Sequence, residues 1–410
     1  MLARHHLDIN HPDFIANPYP VLAELREDRP IFLDEAWKKV WVLRYDDIVS
    51  LLKDKRLGRQ ISHVMTREEL GWPPPNPAQA PFDAFQSKHM LDREPPDHTR
   101  LKTLMMKAFT PQRVESLRPR IEAIVRQLLD KVDSQHKMDL LRDLAEPVPV
   151  TVIAELLGFP EKDRDKLRPW SAAIVKLYEL GYTEEQVQAG SKAVVEFSDY
   201  IRDLARERHA HPQDDLISAL CAVEEQGQKL TEDELIANCI LLLNAGHEAT
   251  VNATTGSMRA LFRNPDKLQA LVQAAARPEG MALFKTAVEE LLRYDTPLPM
   301  FERWVLEDMN YGGLALKRGM EIGLIFASGN RDPRRFERPE ELVLTRKENP
   351  HLTFSLGIHF CLGAPLARLE LQILLQMLLE RFPKIELASH FKPEYGGFVI
   401  RGLKALPVIF

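Results

Sequence analysis

The chain has 410 residues, 45% of them hydrophobic and 28% charged, with 54 basic against 60 acidic side chains for a formal charge of −6. This is ample for a sizeable core, and no polybasic face suited to nucleic acid or an anionic membrane stands out, so no nucleic-acid partner is expected. The first residues, Met1-Leu2-Ala3-Arg4-His5-His6-Leu7-Asp8, hold no apolar signal region, and the densest apolar run, residues 239–243, is far shorter than the ~20 residues of a bilayer span, so a cytoplasmic chain without a membrane anchor is expected.

Residues 31–43 alternate apolar and polar side chains and predict strand. Residues 71–84 carry Pro73, Pro74, Pro75, Pro77 and Pro81, a density that excludes regular helix and favours an extended loop. Apolar residues at three-to-four spacing predict helices over 100–109, 114–132, 215–225 and 281–293. An unusually long helix is predicted over 233–263, opened by Thr231 and Glu234 at capping-box spacing. A proline-bearing link, 294–300, leads into alternating segments at 301–325 and 399–410, with a further helix over 364–382 between them. The reading is a mainly α, single-domain protein over residues 1–410 with a minor antiparallel β part.

Three widely spaced cysteines, Cys221, Cys239 and Cys361, make neither a disulfide framework nor a zinc site. Cys361 stands apart by its surroundings, Phe354-Ser355-Leu356-Gly357-Ile358-His359-Phe360-Cys361-Leu362-Gly363-Ala364-Pro365. Gly357 and Gly363 bracket it, so the backbone can fold tightly and approach a large flat ligand. The helical pattern that follows places Cys361 just before a helix N-terminus, where free amides and the dipole favour thiolate.

The stretch resembles the cysteine-loop signature of the cytochrome P450 family, Phe-x-x-Gly-x-x-x-Cys-x-Gly, at each fixed position. The resemblance implies the P450 fold, with haem b (iron protoporphyrin IX) between the long central helix and the cysteine loop. It implies Cys361 as the axial iron ligand, where a donating thiolate favours O–O cleavage, and Phe354 as the aromatic beside the sulfur. Cys221 and Cys239 are then packing residues. Glu290-Leu291-Leu292-Arg293 matches the family's Glu-x-x-Arg helix motif, and Arg346 stands where a later arginine joins that pair to lock the cysteine loop. The resemblance assigns the haem propionates to His98, Lys102, Arg303 and His359. The family more often has arginine at Lys102, and lysine lacks the bidentate fork.

Within the long helix, Asn244-Ala245-Gly246-His247-Glu248-Ala249-Thr250 resembles the family's oxygen-side motif at Ala245, Gly246, Glu248 and Thr250. It departs at Ala249, where the family has a threonine whose hydroxyl helps deliver protons. Thr250 is turned about 100° from Ala249 and is no automatic substitute. An ordered water, a substrate hydroxyl or Thr250 through local distortion are the three ways left to complete the relay, with water or substrate favoured and Glu248 as its acidic member.

The resemblance places residues 71–84, the central helix, Leu298 to Phe301, Phe398 to Ile400 and a lid over 170–182 around a hydrophobic substrate. Arg401 is expected at the surface rather than on an anionic substrate. The implied activity is insertion of one atom of O2 into that substrate, by a monomer that draws electrons from a ferredoxin or flavodoxin with its reductase, since no flavin or nicotinamide fingerprint is present. Lys102, Lys107 and Arg113 are candidates for docking it. Peroxide-driven oxidation and a non-catalytic haem-based ligand-binding protein are the rival readings.

Overall fold

A computed structural model describes residues 6–178, 181–224 and 227–410. The chain forms two compact units. One comprises Met1–Ile61, Arg118–Val148 and Ala249–Phe410; the other comprises Ser62–Leu117 and Pro149–Glu248. The long helix Glu232–Phe262 contributes its first half to the second unit and its last turns to the first.

The first unit contains a five-stranded sheet, in the order Ile31–Asp34, Lys39–Val42, Glu321–Leu324, Phe301–Val305, Leu57–Gly58. Its pairings are antiparallel except one: Lys39–Val42 runs parallel to Glu321–Leu324, so the β part is not purely antiparallel. Parallel neighbours need a long crossover, and here it is most of the chain. Val40, Ile48, Val305, Ile322, Leu324 and Phe326 pack one face of this sheet. Beside it, Met281–Tyr294, Pro265–Ala275 and Arg118–Asp133 pack on Ala364–Arg381, the helix that follows Cys361.

The second unit is helical. Its helix Glu184–Ala210 packs on Leu167–Val175, Leu216–Ala222 and Ala80–Gln86. It opens with a full capping box between Thr183 and Gln186. The box expected for the long helix is also formed: the Glu234 amide donates to Thr231 Oγ1 at 3.2 Å and the Thr231 amide to Glu234 Oε2 at 2.9 Å.

Four sequence expectations shift. Residues 71–84 are not all extended, because Pro77–Gln79 forms a 3₁₀ turn capped by Asn76 and runs into helix Ala80–Gln86. Pro77 and Pro81 both sit in first turns, where the missing amide breaks no helical hydrogen bond. The helix expected over 114–132 is two, Pro111–Ser116 and Arg118–Asp133, because Pro119 must begin a helix rather than lie inside one. The helix over 215–225 is Leu216–Ala222, capped by Asp215 and ended by extended Val223; Glu225 lies outside the described residues. Of residues 399–410, only Pro407–Ile409 forms a strand. Among the described residues no helix is long and apolar enough to cross a membrane.

Candidate haem-thiolate site

Cys361 lies at the end of an irregular loop, three residues before helix Ala364–Arg381, and is exposed. Its amide donates to the Phe354 carbonyl at 3.0 Å, which closes the loop around residues 355–360. Ser355 and Gly357 both hold positive φ, 59° and 72°. A Cβ on Gly357 would also meet the Leu52 carbonyl oxygen at 2.9 Å, so glycine is required there on both counts. A Cβ on Gly363 would stand 3.9 Å from the Cys361 sulfur.

The loop is fixed from below by a buried ion network. Glu290 and Arg293 are fully buried on helix Met281–Tyr294 and pair through two hydrogen bonds of 2.8 Å. Arg346 adds contacts of 2.9 and 3.3 Å to the same carboxylate, which also accepts the Val343 amide and the Asn349 side-chain amide. Arg293 then donates to the carbonyls of Asn330, Pro339 and Glu341. The Asn330 side chain accepts the Leu352 amide and donates to Thr353 Oγ1, and that hydroxyl donates to the Leu292 carbonyl. A continuous chain of bonds thus runs from Glu290 to the residue before Phe354. The third partner expected from sequence, Arg346, is in place.

A second network was not legible in the sequence. Arg368, on the helix after Cys361, donates twice to Glu289 at 2.7 and 2.8 Å, and its guanidinium lies 4.4 Å from the Phe354 ring centre. His351 approaches the same carboxylate at 3.1 Å. Burial alone pushes the Glu289 carboxyl up, but the hydrogen bonds and charges of His351 and Arg368 bring it down to about 2. The available signal was only that Arg368 lies one helical period beyond the loop, a spacing shared with many surface arginines.

In the same unit Arg303 is buried at 3% exposure on strand Phe301–Val305, donating to the Glu302 carbonyl, and His359 is half-buried. Ala249 is half-buried and Thr250 buried. Arg401 is not a surface residue. It is 4% exposed and donates to Asp295 at 2.5 Å and to the carbonyls of Ile15 and Ala16, so the arginine joins the N-terminal segment to the core. Met300 and Phe398, offered as substrate lining, are buried in the cluster around Phe14 and Trp41.

In the other unit His98 is buried and Lys102 half-buried one turn apart on helix Asp97–Ala108, which is tied to the long helix by the Arg100–Glu234 ion pair. Ala245 is exposed although its neighbours Leu243 and Asn244 are buried; Gly246 and Glu248 are half-buried. Gly246 lies against Ile153, with ordinary contact space for a Cβ. Of the expected lid, Tyr178 packs edge-on against Phe82 at 5.6 Å and Trp170 stacks on Phe197, while Glu179 and Leu180 lie outside the described residues. Cys239 is fully buried and Cys221 half-buried, and burial pushes both thiols up, as fits packing residues.

These residues fit a haem. Ile358 and Phe360, flanking His359 beside the thiol, are 46% and 41% exposed, an apolar surface of the kind that a large flat ligand covers. In the same unit Arg303 adds a buried basic group of the type that propionates require.

The family model for cytochrome P450 matches residues 61–397. The chain is 42% identical to the polyketide biosynthesis cytochrome P450 PksS of Bacillus subtilis, over 97% of this chain and 98% of that protein. The solved structure of PksS superposes with a TM-score of 0.86, covering 97% and 99% of the two chains. P450BioI, solved in complex with acyl carrier protein bearing hexadec-9Z-enoic acid, is 36% identical with a TM-score of 0.88, over 97% and 99%. The myxobacterial CYP267B1, solved with myristic acid, is 38% identical with a TM-score of 0.88, over 98% of each chain. The chain therefore belongs to the cytochrome P450 family, as a haem-containing monooxygenase similar to bacterial members.

Proposed function

We propose that this single-domain P450 inserts one oxygen atom from O2 into a hydrophobic acyl or polyketide-like substrate, by hydroxylation or epoxidation, with electrons from a separate ferredoxin or flavodoxin and its reductase. The observation that carries the reading is the exposed Cys361, preceded by exposed Ile358 and Phe360 on a loop locked by Glu290, Arg293 and Arg346. When bound, the haem supplies the oxidising chemistry. Cys361 would ligate it, Gly363 leaves space beside the sulfur, and Phe354 is held beside the loop by Arg368. By the family resemblance, His98, Lys102, Arg303 and His359 would hold its propionates. Ala245 and Gly246 leave room on the oxygen side, and Glu248, 30% exposed, carries protons inward. Ala249 supplies no hydroxyl and Thr250 is buried, so a water or a substrate hydroxyl completes that path. The substrate class is supported by relatives found with hexadec-9Z-enoic and myristic acids and by one named for polyketide biosynthesis.

The test is a spin-state titration of the purified haem protein with myristic acid, hexadec-9Z-enoic acid and testosterone. Turnover of any binder follows, with ferredoxin, reductase and NADPH or with peroxide alone. Binding of the acyl compounds and reductase-driven product support the reading. Product with peroxide alone would replace it by the peroxygenase alternative, and binding without product by a ligand-binding role.

A further inference from the structure

Two buried polar side chains in the long helix have no role in the reading above. Asn244 is 4% exposed, and neither its amide oxygen nor its amide nitrogen makes a hydrogen bond among the described residues. His247, also 4% exposed, has both ring nitrogens in the same condition; its Nδ1 stands 3.7 Å from Glu248 Oε1, outside hydrogen-bond range. Four polar atoms within one helical turn are thus shut away from bulk solvent. Buried groups of this kind are almost always satisfied, and where no protein atom does so an ordered water does.

The helix geometry says where such water would lie. At about 100° per residue, Asn244, His247 and Glu248 share one face, and the Ala245–Ala249 stripe begins about 60° beyond Glu248. Glu248 therefore stands between the Asn244–His247 face and the exposed Ala245. The exposed Arg168, on helix Leu167–Val175, acts on His247 through its charge. Burial first, and the Arg168 charge second, push the His247 imidazole down to about 4 and keep it neutral near pH 7, with one nitrogen donating and the other accepting.

We infer that Asn244 and His247 hold ordered water against Glu248 and that this water reprotonates Glu248 from the solvent side, in a helix where Ala249 offers no hydroxyl. One proton leaves the Glu248 carboxyl inward, one arrives from the held water, and solvent restores the water, so the balance closes with no net change on either side chain. Asn244 and His247 are positioning residues. The inference rests on the assignment of Glu248 as the proton carrier.

A high-resolution crystal structure of the haem-loaded protein, with Asn244→Leu, His247→Phe and His247→Gln variants, tests it. Wild type is expected to show ordered water on both side chains and in contact with Glu248. Dry space or direct protein partners there would overturn the inference. With myristic acid, the Leu and Phe variants are expected to lose about tenfold in product formed per NADPH, less than the roughly 10²–10⁴-fold of a whole proton-transfer step because Glu248 itself remains. The myristate KM stays unchanged, the solvent deuterium isotope effect rises, and His247→Gln, which still holds water, retains coupling. Unchanged coupling and isotope effect in the Leu and Phe variants would also overturn it. If wild type makes no product from myristic acid, the substrate reading fails, and the water structure alone decides this inference.

Discussion

The Glu290 carboxylate is fully buried and receives hydrogen bonds from Arg293, Arg346, Val343 and Asn349. Removing one member of such a network strands the others, at a cost of about 3–5 kcal/mol. Glu290→Gln is therefore expected to lower the thermal midpoint strongly and to reduce haem content on purification, whereas an exposed pair such as Arg338–Glu341 should be almost silent on removal. Absorbance at the haem band against total protein checks the first effect. The sequence shows Glu290 and Arg293 at helical spacing, but surface pairs have that spacing too; the family motif and Arg346 gave them meaning. Glu289 and Arg368 are as tightly bound, yet they carry no motif and their partnership spans 79 positions. Arg401 was misplaced for the same reason, since its partner Asp295 is 106 positions away.

At the scale of elements, the long helix depends on a start signal that the sequence displays. Thr231→Ala removes the hydroxyl that accepts the Glu234 amide and should cost about 1 kcal/mol, read as a lower midpoint in urea. Helix Ala364–Arg381 carries a different demand. Glu370 is buried there at 1% exposure with no counter-charge among the described residues, and burial pushes its carboxyl up to about 8. Its folded pKa lies above the ordinary glutamate value of 4.5, so the folded state retains the proton longer and stability falls as pH rises from 4.5 toward 8. Glu370→Gln is expected to remove that slope and to stabilise the protein by about 2 kcal/mol above neutral pH; an unchanged slope in melts across this range would refute it. Helices with strong periodicity were legible to within about three residues at either end, as in Asp97–Ala108 against 100–109 and Glu232–Phe262 against 233–263. The elements missed were short or proline-initiated, as at Pro77, Pro81 and Pro119, because a proline-rich sequence does not say whether its prolines fall in first turns or between elements. The parallel pairing of Lys39–Val42 with Glu321–Leu324 joins segments far apart in sequence, and alternation within a strand carries no information about its neighbour.

At the scale of the whole molecule, the response to acid starts at the carboxylate that braces the cysteine loop. Glu289 has its folded carboxyl at about 2 against the ordinary glutamate value of 4.5, so its contribution is present above 4.5 and is lost as pH falls toward 2. Since Glu289 bridges the helix before the cysteine loop to the helix after it, acid should release haem before it unfolds the unit of helix Glu184–Ala210. Haem absorbance and far-UV circular dichroism, followed together between pH 5 and 2, check this; coincident transitions would contradict it. The fold class, the cysteine loop and the family were all legible, because they rest on local spacing around Cys361, Glu290 and Gly246. The substrate was not, because the candidate lining positions mix core residues such as Met300 and Phe398 with positions that sequence cannot orient.

The central claim is that the Cys361 sulfur ligates haem iron. The most direct measurement is the absorption spectrum of the purified protein, reduced and exposed to carbon monoxide, beside Cys361→Ala. A strongly red-shifted Soret band in the wild type that disappears in the variant is the expected result. A variant spectrum identical to that of the wild type, or a wild type that binds no haem, would contradict it.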